Sequence, residues 1–170
     1  MNASDALPVR WPERAAILLV VVPVALFLAA WFHPAIGIPA AAIVSWIAWR
    51  LMGSLSSSPL PSRRAILSLA ILSLAWTWIA GYGGQYDQTW DHNFRNALLH
   101  DLIDHRWPVS WDTPTGTIAL DYYLAWSMVP AMIGKLLGWR AASLAMALVC
   151  AIGVFLVLLV FVRVLGVWRW

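Results

Sequence analysis

Long apolar runs separated by short polar breaks make up most of this chain. A helix that crosses a bilayer needs about 20 mainly apolar residues. The first such run is 15–32, interrupted only by Pro23. The second, 35–52, follows directly after His33-Pro34, and Arg50 near its end can snorkel to the interface. Together they predict a tight helical hairpin through Trp31-Phe32-His33-Pro34. Residues 53–64 are rich in Ser and Pro and predict a loop. A third span is expected at 65–81, a polar segment at 82–117, a fourth span at 118–137 and a fifth at 141–162. The expected fold class is all-α: residues 1–170 form a single membrane domain, a polytopic transmembrane bundle of about five spans. Its extracytoplasmic loop, 82–117, contains an interfacial helix.

Composition supports a lipid solvent. Hydrophobic residues make up 62% of the chain and charged residues 11%, against about 45–50% and 25% in an ordinary soluble domain. So little charge cannot cover a water-facing surface. Thirteen Trp suit the headgroup layer, where an amphipathic ring is favoured. Trp46, Trp49, Trp76, Trp78, Tyr122, Tyr123, Trp126 and Trp139 read as such anchors. The net charge of +3 does not point to nucleic acid, because the basic residues sit at the ends of apolar runs. Cys150 is the only cysteine, so no intramolecular disulfide forms. Asp5 and Glu13 argue against a cleavable signal peptide.

Charge also suggests an orientation in the cytoplasmic (inner) membrane. With the N-terminus cytoplasmic, Arg10, Arg14, Arg50, Arg63, Arg64, Lys135 and Arg140 lie inside, and Arg95, Arg106, Arg163 and Arg169 outside, seven against four. That bias obeys the positive-inside rule. Six of the eight acidic residues (Asp87, Asp91, Asp101, Asp104, Asp112 and Asp121) and all four His then share the outer face.

The polar segment opens with Gly81, Gly83 and Gly84, which allow a sharp turn. Residues 90–105 predict a helix ended by Trp107-Pro108. Asn93, Asn96, His100 and Asp104 fall in one strip of it; Trp90, Phe94, Ala97, Leu98 and Leu102 fall on the other side, as in a helix lying in the interface. The plainest reading is a solvated connector with an interfacial helix. His100, Asp101, Asp104 and His105 have helical spacing but split between two faces, so no protein metal site is predicted. A divalent cation held by carboxylates and a phosphate needs fewer protein ligands. Asp87 and Asp91, just past the third span, could act as general base toward a hydroxyl, although Asp91 equally suits the first turn of a helix. A transport pathway is disfavoured by the near absence of ionisable residues inside the spans. Pro130 would kink the fourth span.

Asp91-His92-Asn93-Phe94-Arg95-Asn96-Ala97-Leu98-Leu99-His100-Asp101-Leu102-Ile103 resembles a motif of large bacterial polytopic membrane proteins, Asp-Trp-x-Lys-His-Asn-Ala-Ile-Leu-x-Asp-Leu-Ile. The likeness continues through Trp107-Pro108-Val109, Tyr122-Tyr123 and Gly134-Lys135-Leu136-Leu137-Gly138, covering about 81–138. The layout resembles the GT-C glycosyltransferases, which use a lipid-phosphate-linked sugar. The resemblance implies Asp91 as catalytic base or cation holder, with Asp87 second. Asn96, Asp101 and His100 are the substrate-binding candidates. His92 and Arg95 depart from the pattern, which has Trp and His there. Membrane lipid and a polyprenyl-phosphate sugar are the expected partners, with a divalent cation as the cofactor to look for. GT-C enzymes are much longer, so the chain reads as an N-terminal portion, inactive alone. The competing expectation is a non-enzymatic scaffold or assembly subunit that docks a partner through its outer loop.

Overall fold

In the computed structural model the described residues are 10–55, 59–84 and 86–166. They form six helices and one small hairpin. Helix α1 (Trp11–Trp31) and helix α2 (Pro34–Ser54) make the expected helical hairpin. Its turn is local chemistry. His33 precedes proline and takes an extended backbone (φ −52°, ψ 135°). Its Nδ1 accepts from the Ala35 N–H at 3.4 Å, and Pro34 starts α2 where no N–H is needed. The helices approach so closely at Gly37 that a Cβ there would lie 2.3 Å from the Leu28 carbonyl oxygen. At the far end Arg14 Nε donates to Met52 O (3.4 Å).

Helix α3 (Arg63–Ile79) starts at Ser62, whose hydroxyl accepts from the Ala65 N–H. A glycine-rich turn, Tyr82–Gly84, leads to α4 (Trp90–Asp104). Strands β1 (Ser110–Thr113) and β2 (Gly116–Ala119) pair antiparallel, with Thr113 opposite Gly116. Helix α5 (Ala125–Leu137) and the long α6 (Trp139–Leu165) complete the chain.

Three helices, α1, α2 and α6, are long and apolar enough to cross a membrane. Their surfaces are apolar too, with Val20, Ile36, Trp49, Val157 and Val164 all exposed. Such a surface calls for lipid rather than water.

Two expectations are corrected. The fourth span, 118–137, does not exist as one helix. Its first residues belong to β2, and the helix is only 13 residues, Ala125–Leu137. At 1.5 Å per residue that is about 20 Å, short of the roughly 30 Å hydrocarbon core. The fifth span also ends on the other side from the one expected. Arg163 near the end of α6 pairs with Glu13 at the start of α1 (Nη1 to Oε2, 2.8 Å). The end of α6 therefore lies beside the start of α1, whereas the sequence expectation put Arg163 opposite Arg14.

The remaining elements, α4, the hairpin and α5, form a cap at the end where α1 and α3 finish and α6 begins. Leu98, Leu99 and Leu102 of α4, Val109, Leu124, and Met128 and Ala131 of α5 are its core, joined by Ala142 of α6. Leu26, Phe27, Ala30 and Trp31 at the end of α1 pack against that core. This arrangement gives a labelling prediction. With Cys150→Ala as background, cysteines at Arg10 and Leu165 will react with an impermeant maleimide from the same face of the membrane, and one at Thr113 from the opposite face. Leu165 reacting together with Thr113 would restore the five-span arrangement.

Candidate functional site

Where α3 ends, three glycines reverse the chain: Gly81, Gly83 and Gly84 have φ of 76°, 77° and 69°. The turn is fastened to α6 by Ser143, whose hydroxyl donates to Gly83 O. It is fastened to α4 by Gln88, whose Nε2 donates to Gly81 O (2.8 Å) while its Oε1 accepts from Asn96 Nδ2 (3.0 Å). Thr89 precedes α4, and its Oγ1 lies 3.1 Å from His92 Nδ1.

On this support sits a charged cluster. Asp91 lies in the first turn of α4, where a carboxylate complements the helix dipole. One turn on, Arg95 Nε is 2.9 Å from Asp91 Oδ2, and both side chains are about 40% exposed. The Nε–H does not aim at that oxygen, so the buried Nε atom lacks an aligned acceptor despite the short distance. Arg95 Nη1 donates to the Tyr82 hydroxyl (3.0 Å). Burial opposes the guanidinium charge, but Tyr82 and then Asp91 outweigh it, so Arg95 is held even above its usual range and stays cationic. A cavity of about 30 Å³, room for about one water, lies between Tyr82, Gln88, His92, Arg95, Asn96 and Trp139.

Beside the cluster, Phe94 meets the Tyr122 ring edge-on at 5.0 Å, and the Tyr122 hydroxyl donates to that of Tyr123. That bond pushes the Tyr122 phenol up. The far end of α4 is also held. Trp107 Nε1 donates to Leu102 O (2.8 Å), and Lys135 Nζ donates to Ile103 O (2.9 Å) and to His105 O. Burial lowers the Lys135 ammonium, against the opposing pull of Asp104.

The sequence candidates divide. Asp91 and Asn96 stand in the cluster. Asp87 is exposed, and none of Asp87, Asp91 and Asp101 lines the cavity; Asp91 belongs to the cluster only through Arg95. His100 stacks flat on Trp139, with ring centres 3.7 Å apart and planes 11° off parallel, which joins α4 to α6. Among the described residues no three His, Cys, Asp or Glu converge to hold a metal.

The expected faces of α4 shift as well. Leu98, Leu99 and Leu102 are buried, but Trp90 and Phe94 are exposed rather than grouped with them. Trp126 and Trp139 are not simple anchors: Trp126 reaches Gly153 of α6, and Trp139 carries His100. Tyr82, Gln88 and Ser143 were not anticipated from sequence. The run of glycines marked their turn, but nothing in it named the partners.

The chain matches no family model, no curated protein and no solved structure.

Proposed function

We propose that the chain is the N-terminal portion of a GT-C-like membrane glycosyltransferase. It would transfer a sugar from a polyprenyl-phosphate donor on the outer face of the inner membrane, with the N-terminus cytoplasmic and the cap extracytoplasmic. The observation that carries this reading is the Asp91–Arg95–Tyr82 cluster at the cap end of an apolar bundle. Asp91 supplies a carboxylate to take the proton of an acceptor hydroxyl. Arg95, fixed by Tyr82, supplies a permanent cation to a leaving phosphate. Asn96 orients the cluster through Gln88, and Asp87, Asp101 and His100 are the secondary candidates on the same segment. A divalent cation would have to be shared with the phosphate itself.

The test is Asp91→Asn in the whole protein. Loss of a positioned general base lowers transfer by about 10²–10⁴-fold. Membrane insertion and expression should stay normal. Unchanged transfer would remove Asp91 from the mechanism. A second reading, a scaffold whose cap docks a partner, is favoured by the exposed hairpin with Trp111 and Ile118 at its surface. It predicts that Asp91→Asn does nothing, while Trp111→Ala and Ile118→Ser together abolish co-purification of the partner.

A further inference from the structure

The end of the bundle opposite the cap gathers the arginines of four helices. Arg163 near the end of α6 pairs with Glu13 at the start of α1, and Arg14 Nε donates to Met52 O near the end of α2. The start of α1 therefore lies beside the ends of α6 and α2. Helix α3 packs along α6, and the turn after it is tied to the start of α6 by the Ser143–Gly83 bond. Its first residues, Arg63 and Arg64, thus lie toward the same base.

Arg10, Arg14, Arg50, Arg63 and Arg64 are all exposed there. Among the described residues Glu13 is the one acid at this end, and Arg163 already takes it. The other ion pair of the described residues, Asp91–Arg95, is in the cap. The five exposed arginines therefore sit together without a carboxylate partner among the described residues. Like charges grouped in this way repel one another and favour a bound counter-charge.

Two further features say what kind of counter-charge fits. The arginines are set among exposed apolar side chains. Trp11 follows Arg10, Trp49 and Leu51 flank Arg50, and Leu67 follows Arg63 by one turn. The Arg50 guanidinium lies 5.8 Å from the centre of the exposed Trp46 ring. A water-borne acidic partner would neutralise the charges and leave these side chains wet. A lipid leaflet meets both, with phosphate at the arginines and hydrocarbon against Trp and Leu. The cations are also all arginine, and the chain's single lysine, Lys135, belongs to the cap. A guanidinium fork meets two phosphate oxygens at once, which an ammonium does not.

We infer that this base binds the phosphate headgroups of anionic phospholipids in preference to zwitterionic ones. The preference is independent of the glycosyltransferase reading and of which leaflet the base faces, because it depends only on the charges at that end. One arginine near an anionic surface contributes about fivefold to binding. The attraction acts within a Debye length and is weakened by salt.

The experiment places the full chain in phosphatidylcholine nanodiscs doped with phosphatidylglycerol. Spin-labelled versions of the two lipids report their relative association with the protein boundary. At low salt, phosphatidylglycerol should associate about threefold more strongly or better, averaged over that boundary. At about 1 M salt, where the Debye length is about 3 Å, most of the preference should vanish. That comparison uses the parent protein, so no substitution can disturb its folding. Arg63→Gln with Arg64→Gln should lower the preference, as should Arg10→Gln with Arg14→Gln. The four together should bring phosphatidylglycerol close to phosphatidylcholine. Arg106→Gln with Arg140→Gln removes two exposed cations of the cap and should change nothing.

No preference in the parent protein overturns the inference. A preference that survives about 1 M salt, or that falls equally in the cap variant, does the same. If soluble polyglutamate displaces phosphatidylglycerol at equal charge, the base belongs to an acidic protein partner and the lipid assignment falls.

Discussion

Glu13→Ala will destabilise the bundle by about 3 kcal/mol, the lower end of the range for breaking a buried ion pair by removing one partner. The Arg163 side chain is only 2% exposed and that of Glu13 21%. Truncating the acid leaves the guanidinium without its carboxylate at a site where water reaches it poorly. The lower end applies because a long side chain at a helix terminus can turn toward the interface. Glu13→Gln keeps an acceptor and should lose less. Replacing both partners, as Glu13→Ala with Arg163→Leu, should recover most of the loss, because no charge is then left buried. Thermal unfolding in detergent reads all four proteins. If Glu13→Ala falls within about 0.5 kcal/mol of the parent, as surface substitutions do, the contact between α1 and α6 does not hold the two helices as described.

The second large effect is expected at Gly83. Its φ is +77°, and a Cβ would lie 2.6 Å from the Ser143 carbonyl oxygen and 2.8 Å from the Ala147 Cβ. Gly83→Ala thus incurs left-handed strain of about 1–3 kcal/mol and overpacking of about 1–3 kcal/mol. Neither neighbour can rotate away, because one is backbone and the other is a methyl group on the first carbon of its side chain. Gly84 is the control. It has a similar φ of +69°, but its nearest neighbours are 3.9 and 4.0 Å away. Gly84→Ala should show the strain alone, roughly half the combined loss. Because Tyr82 adjoins Gly83 and holds Arg95, the proposed glycosyltransferase reading adds that Gly83→Ala lowers transfer more than Gly84→Ala does. Equal effects at the two glycines would mean that the α3–α6 seam tolerates the extra carbon and only the turn matters.

Much of the chain's outline is written in its local sequence. The α1–α2 hairpin follows from His33-Pro34, because a residue before proline leaves the helix and proline starts the next one well. The reversal after α3 follows from Gly81, Gly83 and Gly84. Helix α4 and its stop before Trp107-Pro108 were legible too, and Asp91 and Asn96 stood out within it. These features depend on interactions within a few residues, and local sequence carries them.

The fourth span was misread because hydropathy counts apolar residues and not what they pack against. Leu124, Met128 and Ala131 are buried in the cap, against α4 and the end of α1, and not against lipid. The signs of the hairpin, Thr113-Pro114-Thr115-Gly116 and then Asp121, were present, but the apolar run behind them outweighed them. Charge could not repair the error. Among the described residues, moving Arg163 to one side and Lys135 and Arg140 to the other changes the balance from seven against three to six against four, so both arrangements obey the positive-inside rule.

The site shows the same division. Sequence alone determined a chain of long apolar helices interrupted by one polar segment with a carboxylate at a helix start. Only the tertiary structure decided that Tyr82, from the turn after α3, would hold Arg95, and that Ser143 and Trp139 of α6 would brace that turn and α4. The partners in those contacts lie 13 to 60 residues apart for the two hydrogen bonds. Periodicity and turn chemistry reach only a few residues along the chain, so packing between helices had to choose them.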